Sequence, residues 1–280
     1  MTLTISVKTH TLTVPGASIY YETRGSGPVL LMMPGGPATS SVFGRIAAEL
    51  APYFTVVTYD PRGLSRSTLD GPIDDARLVE VFADDAHRLI AAVTNEPAFV
   101  FGNSGGAVIG LELMARHPGQ VGTLVAHEPP SPDLLPDGAA ARAGMEQVLD
   151  AYRTGGVWVG MQTFMASIGV HGGPPPASAA EPTAEAREAM AQMQRNFDFF
   201  LGHYFRALAD YRPDFAVLKR LASRIVPAVG QESEGQLANR GGLGLADRLG
   251  TKAIAFPGAH GGFDSHPQEF AKKLGEVLEG

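Results

Sequence analysis

The residues most able to do chemistry begin with a serine between glycines, in the segment Gly-Asn-Ser-Gly-Gly at 102–106. The apolar residues 98–101 predict a strand before Ser104, and the residues after it predict a helix. In a tight turn from strand to helix the serine backbone is strained, and flanking glycines remove the Cβ atoms that would clash there. The spacing therefore predicts that Ser104 presents its hydroxyl as a nucleophile at the carboxyl edge of a sheet.

A histidine near the end of the chain is positioned to activate that hydroxyl. His260 lies in a Gly-rich loop, residues 257–263, directly after the predicted strand 252–256. A loop after the last strand can reach back over the sheet edge, so His260 could take the proton of Ser104 and return it to a leaving group. None of the other seven histidines lies in a comparable loop.

A carboxylate would hold this imidazole in the correct tautomer and stabilise its charged form. Glu128 follows the predicted strand 121–127, and Glu232 follows the predicted strand 225–229, with Glu234 close by. Either strand end could deliver the acid. We expect Glu128 to be the partner of His260, with Glu232 as the alternative.

Backbone amides near the serine could bind a developing oxyanion. Gly105 begins the helix after Ser104, where the amide and the positive end of the helix dipole face the site. Gly35 and Gly36 follow the predicted strand 29–33, at the same edge of a parallel sheet. We expect an oxyanion hole made by Gly105 together with Gly36 or Gly35.

The elements that must position these residues alternate between strand and helix, which predicts an α/β fold with a mostly parallel, eight-stranded sheet. The strands are predicted at 11–14, 18–23, 29–33, 55–59, 98–101, 121–127, 225–229 and 252–256. Helices are predicted at 41–50, 76–93, 107–117, 236–249 and 267–278, where apolar residues recur at intervals of three and four.

The alternation breaks once, after the sixth strand. Residues 131–222 contain a Pro/Gly loop at 172–176, a helix-forming stretch and an aromatic cluster. Insertions of this length are usually functional, so this one predicts a helical lid between two parts of a core, residues 1–130 and 223–280. Within the lid, we expect Phe199, Phe200 and Tyr204 to contact substrate.

Composition excludes several other functions. The 22 basic and 29 acidic side chains give a formal net charge of −7, and no basic block occurs, which argues against nucleic acid and anionic membranes as partners. No apolar run approaches the roughly 20 residues that span a bilayer, so a cytoplasmic location is expected. The chain has no cysteine, no His-Glu-x-x-His spacing and no P-loop lysine, so neither a metal nor a cofactor is expected.

The glycine pair, the serine turn and the late histidine, in this chain order, resemble the α/β-hydrolase family over essentially the whole length. Residues 60–67, Asp-Pro-Arg-Gly-Leu-Ser-Arg-Ser, look like that family's D-x-R-G-x-G-x-S turn, with Ser65 where a glycine is usual. We interpret that turn as structural. Pro34 also departs from the family, which often has histidine before the oxyanion glycine.

The resemblance also bears on the acid and the substrate. An acid after the strand that follows the nucleophile helix is the position used by some haloalkane dehalogenases, whereas the commoner family position falls on Ser233, which is no acid. The segment His-Glu-Pro-Pro at 127–130 looks like that of zearalenone-type lactonases, which use a Ser-Glu-His triad. Ser104 itself departs from dehalogenases and epoxide hydrolases, whose nucleophile is aspartate.

The sequence therefore predicts hydrolysis of a carboxylic ester or lactone through an acyl-serine intermediate, on a small, moderately apolar substrate. Two alternative functions are compatible with the same side chains. One is hydrolysis of a carbon–carbon bond, or cofactor-free oxidation chemistry, with the same triad. The other is a ligand-binding receptor that keeps the fold without turnover.

Overall fold

The computed structural model describes residues 6–168 and 183–280 of the chain. Within those residues nine strands form one sheet. They are β1 (Lys8–Val14), β2 (Ala17–Arg24), β3 (Val29–Met33), β4 (Thr55–Tyr59), β5 (Thr68–Leu69), β6 (Ala98–Asn103), β7 (Val121–His127), β8 (Ile225–Gly230) and β9 (Ile254–Phe256). The predicted Pro/Gly loop at 172–176 lies outside the described residues.

The strands lie in the order β1-β2-β4-β3-β6-β7-β8-β9, and β5 pairs with β2 beside this path. β2 pairs antiparallel with both β1 and β4, whereas every pair between β4 and β9 is parallel. The prediction of a mostly parallel sheet is therefore confirmed, and the eight predicted strands are the eight on this path. The carboxyl ends of the parallel strands meet at one edge of the sheet.

Helices cover both faces of the sheet, as parallel strands require. They are α1 (Gly44–Leu50), α2 (Leu78–Val93), α3 (Gly105–Arg116), α4 (Gly138–Ser167), α5 (Ala184–Phe199), α6 (Phe205–Asp210), α7 (Phe215–Arg220), α8 (Leu237–Leu249), α9 (Gly262–Ser265) and α10 (Pro267–Glu279). The helix predicted at 41–50 is divided into a 3-10 turn, Ser40–Phe43, and α1. In the described part of the chain, no helix combines the length and apolar character needed to cross a bilayer.

Successive residues of the central strands pack into two different hydrophobic clusters, one on each face of the sheet. Leu31 and Val100 belong to a cluster with α2 and α3, while their neighbours Leu30 and Phe101 belong to a cluster with α1 and α10. This follows from the alternation of side chains along a strand. Burial on both faces holds the sheet, and therefore its carboxyl edge, in a fixed geometry.

Helices α4 to α7 lie between β7 and β8, and we call them the helical insertion. Helix α4 is interrupted at Gly156, whose φ of 79° and ψ of −175° are not helical. A π-helical turn, Phe200–Tyr204, joins α5 to α6. Apolar side chains of the insertion belong to the same hydrophobic cluster as α2, α3 and the sheet face beneath them.

Candidate active site

Ser104 occupies the turn between β6 and α3. Its φ of 57° and ψ of −123° are uncommon for a residue with a side chain, so the surrounding structure must hold the strain. The Ser104 amide donates to the carbonyl of His127 at 2.9 Å, which ties the turn to β7. Close packing of α3 on β3 requires Gly106, because an added Cβ there would lie 2.1 Å from the carbonyl oxygen of Met33.

Glu128 follows β7 directly and also has a positive φ, of 53°. Its amide donates to the carbonyl of Ala228 at 2.9 Å, and its side chain is 0% exposed. One carboxylate oxygen, Oε2, lies 2.5 Å from Nδ1 of His260. Strand β7 and the loop after β9 thus bring the acid and the imidazole into direct contact.

The other oxygen of Glu128, Oε1, is held by three donors. The amide of Gly230 donates to it at 2.9 Å, Ser233 donates through its hydroxyl, and Nδ2 of Asn239 lies 3.4 Å away. Asn239 also donates to the Ser233 hydroxyl at 3.0 Å. This network fixes the carboxylate so that Oε2 faces His260. The sequence did not predict Ser233 or Asn239 as part of the site.

Burial of the carboxyl by itself would raise the pKa of Glu128. The hydrogen bond from His260 is the largest effect that lowers it, followed by the electrostatic influence of the His127 and His260 imidazoles and by the hydrogen bond from Ser233. Together they outweigh burial and lower the pKa from its ordinary 4.5 to about 2. The carboxylate is therefore ionised at neutral pH. An ionised carboxylate only accepts hydrogen bonds, so Nδ1 of His260 carries the proton between them and Nε2 is left as the basic nitrogen.

The other expected acid, Glu232, and its neighbour Glu234 lie in the segment between β8 and α8. Both side chains are exposed. The Glu232 amide donates to the carbonyl of Gly258 at 3.0 Å, so its backbone supports the loop that carries His260. The structure brings Glu128 and not Glu232 into contact with that histidine.

His127 is a second histidine next to the acid and is fully buried. Its Nδ1 lies 2.7 Å from Oδ1 of Asn103, the residue before Ser104. Burial lowers the pKa of His127 from 6.5 to about 3, against the opposing effect of the Glu128 charge. This imidazole is therefore neutral at neutral pH.

His127, Glu128 and His260 each offer a possible metal-ligand atom, and these atoms lie within 4.8 Å of one another. Two ligand atoms that share one zinc ion at about 2.0–2.2 Å each are roughly 3 Å or more apart. The separation of 2.5 Å between Glu128 and His260 is shorter and is that of a charge-assisted hydrogen bond. The pair as it stands leaves no room for an ion between its two atoms.

Ser104 and His260 line one cavity of about 220 Å³ between the sheet edge and the helical insertion. Most of its wall is apolar. The insertion contributes Ala141, Gly144, Met145, Phe164, Ser167, Ile168, Phe200, Phe205 and Leu208, and the core contributes Gly36, Pro130, Gln236, Leu237 and Ala238. A cavity with these walls can enclose an apolar molecule above the serine hydroxyl.

The expected oxyanion glycines occupy different positions around the serine. Gly36, with a φ of 57°, lines the cavity, and Gly105 begins α3. Among the described residues the amides of Gly36 and Gly105 have no protein acceptor. Gly35 packs against the serine turn, where an added Cβ would lie 2.6 Å from Cβ of Ser104. Of the pair, Gly36 is the one that lines the cavity.

The three aromatic residues expected to contact substrate have different surroundings in the structure. Phe200 lines the cavity. Phe199 instead packs on Gly63, where an added Cβ would lie 2.4 Å from its ring, and Tyr204 packs edge to face on Phe82 at 4.9 Å. Phe199 lies outside the cavity wall because adjacent residues of a helix face different directions. Tyr204, about one turn after Phe200, packs on the Phe200 ring with a centroid separation of 5.9 Å, is fully buried and does not line the cavity.

The fold and the arrangement at the sheet edge define a class of protein, and comparison of the sequence with known families identifies it. The pattern that defines the alpha/beta hydrolase family matches residues 29–273, and the chain belongs to that family. It is 36% identical to the uncharacterized hydrolase YraK of Bacillus subtilis (strain 168) over 282 residues, which cover 98% of this chain and 97% of that protein. The chain is accordingly a hydrolase.

Solved structures share the fold. A hydrolase from Pseudomonas aeruginosa PA01 superposes with a TM-score of 0.69 at 22% identity, covering 98% of this chain and 99% of that one. The esterase RhEst1 from Rhodococcus sp. ECU1013 gives a TM-score of 0.65 at 20% identity, with 98% of each chain covered. At these identities the likeness concerns the fold alone.

Proposed function

We propose that the protein hydrolyses carboxylic esters or lactones through an acyl-serine intermediate, with Ser104 as nucleophile, His260 as general base and Glu128 as the orienting acid. The observation that carries the proposal is the 2.5 Å contact between Glu128 and His260, at the wall of a cavity that Ser104 also lines. The esterase among the structural neighbours is in keeping with this chemistry. The helical insertion, which forms most of the cavity wall, acts as a lid over substrate.

The first half of the reaction forms the acyl-enzyme. Nε2 of His260 takes the proton of the Ser104 hydroxyl while the serine oxygen attacks the carbonyl carbon of the ester. The amides of Gly36 and Gly105 donate to the resulting oxyanion. The tetrahedral intermediate then collapses, His260 returns the proton to the leaving alkoxide, and the acyl group stays on Ser104.

The second half repeats these steps with water. His260 takes a proton from water, the oxygen attacks the acyl carbon, and the proton is returned to the Ser104 oxygen as the carboxylic acid leaves. The negative charge of Glu128 stabilises the imidazolium in both halves. With a lactone the alcohol and the acid remain in one molecule, and the steps are otherwise the same.

The Ser104→Ala variant tests the proposal directly. With p-nitrophenyl esters as substrates, kcat should fall by on the order of 10⁴-fold or more, because no other nucleophile lies in the turn. A fluorophosphonate probe should label the unmodified protein and fail to label the variant. Retained turnover by Ser104→Ala would remove the serine from the mechanism. If the unmodified protein bound esters but neither hydrolysed them nor reacted with the probe, a ligand-binding receptor would be favoured.

A further inference from the structure

Among the described residues that line the cavity, four have polar side chains, and three of these already have a partner or a proposed role. Ser104 and His260 belong to the proposed reaction. The hydroxyl of Ser167 donates to the carbonyl of Phe164 at 2.6 Å. The fourth is Gln236, whose side-chain amide makes no hydrogen bond to any other residue in the described part of the chain. Its donors and acceptor therefore have no protein partner and can bind another molecule.

Within residues 6–168 and 183–280, only the backbone of Gln236, and not its side chain, makes hydrogen bonds. It precedes α8 with a φ of −67° and a ψ of 151°, and its side chain does not cap the helix. Its backbone already serves the structure, because its amide donates to Ser233 at 3.1 Å and its carbonyl accepts from Arg240 at 3.0 Å. Glutamine is not among the residues preferred at a helix N-cap, so capping does not account for an amide at this partly exposed position.

The described part of the cavity wall carries no formally charged side chain. Among the described residues that line it there is no Asp, Glu, Lys or Arg, and Glu128 lies behind His260. A charged group brought into such a wall would lose its hydration without gaining an oppositely charged partner. The wall therefore favours uncharged molecules.

We propose that the substrate is an uncharged, mostly apolar ester or lactone that carries a hydroxyl or carbonyl group besides the scissile one, and that Gln236 binds this second group. This inference rests on the proposed function and narrows its substrate class. It makes Gln236 a specificity-determining residue, because the amide hydrogen bond replaces the hydration that the polar group loses on entry.

A matched set of esters tests the inference. Butyl hexanoate is the apolar reference. Hydroxylated counterparts carry one hydroxyl at carbon 3 or 6 of the acyl chain or at the end of the alcohol, and the monobutyl ester of adipic acid adds a carboxylate. kcat/KM is measured by acid release for the unmodified protein, for Gln236→Leu, and for Gln231→Leu, which makes the same substitution at an exposed glutamine outside the cavity wall.

For each ester, kcat/KM is divided by the value for butyl hexanoate in the same protein. For at least one hydroxylated ester this ratio should be about three- to tenfold lower in Gln236→Leu than in the unmodified protein, as loss of one hydrogen bond predicts. Gln231→Leu should keep the ratio of the unmodified protein. The adipate half-ester should be slower than butyl hexanoate by on the order of a hundredfold or more.

Unchanged ratios in Gln236→Leu for every hydroxyl position, or equal rates for the half-ester and the reference, would overturn the inference while leaving ester hydrolysis intact. A protein that cleaves none of these esters would overturn the proposed function itself, and the substrate assignment with it.

Discussion

The two carboxylate oxygens of Glu128 have different hydrogen-bond partners. Protein donors occupy Oε1, and His260 contacts Oε2. Its low pKa keeps it charged through the neutral range. A carboxylate fixed in this way can set the histidine tautomer and stabilise its positive charge.

Glu128→Gln should therefore lower kcat by on the order of 10⁴-fold, because the amide can neither fix the tautomer as firmly nor stabilise the imidazolium. Steady-state kinetics on an activated ester measure this change. Glu232→Gln is the matched control and should leave kcat almost unchanged, because that side chain is exposed. A large loss confined to the control would make Glu232 the acid.

Buried His127 should make the protein sensitive to acid. Its pKa is about 3 in the folded state and 6.5 ordinarily, so between these values the unfolded chain binds a proton that the folded protein does not. The free energy of unfolding should thus fall as pH falls from 6.5 toward 3, by up to about 1.4 kcal/mol per pH unit from this group. In urea titrations, His127→Gln should flatten the profile over that window; parallel profiles would contradict the assignment.

Among the elements, the contact between β3 and α3 is the tightest support of the serine turn. Gly106→Ala should cost about 1–3 kcal/mol of folding free energy, because the new methyl meets the backbone of Met33 and can be accommodated only by moving the helix. Chemical denaturation measures the loss. Gly275→Ala in α10 is the control, since its Cβ would meet no atom within 4 Å, and it should stabilise by up to about 1 kcal/mol. Equal effects at both positions would refute the steric argument.

Elements with a strong local pattern could be predicted from the sequence. The bounds of β3, β4 and β7 agree with the prediction, because each is a continuous run suited to burial on both faces. The two-residue β5 and the break at Gly156 carry no comparable pattern. Ser65, where a glycine is usual, has a positive φ of 51°, a conformation that glycine adopts more readily than other residues.

The candidate site was predictable to the extent that its residues lie at strand ends. Ser104, Glu128 and His260 each follow a strand of the parallel sheet, and their roles remain a prediction. Ser233 and Asn239 reach Glu128 across 105 and 111 residues of chain, through contacts between side chains that no local spacing encodes. Gln236 was missed because its place in the cavity wall depends on the fold and not on local spacing.

For the whole molecule, the shared hydrophobic cluster predicts that the insertion and the sheet unfold together. The chain offers a local reporter, because Trp158, its one tryptophan, lies in α4 and packs on Phe197 at 5.9 Å. Urea unfolding followed by tryptophan fluorescence and by far-ultraviolet circular dichroism should give the same midpoint. A lower midpoint by fluorescence would instead mean that the insertion melts before the sheet.

The order of these residues along the chain also bears on engineering. Ser104 and Glu128 come before the insertion and His260 comes after it, so a chimera could exchange α4 to α7 without interrupting the three side chains. The graft would replace Phe164, Phe200 and Leu208 in the cavity wall and retain Gln236. The grafted helices would need side chains equivalent to Phe199 and Tyr204, because the contacts of these residues with Gly63 and Phe82 hold the insertion on the core.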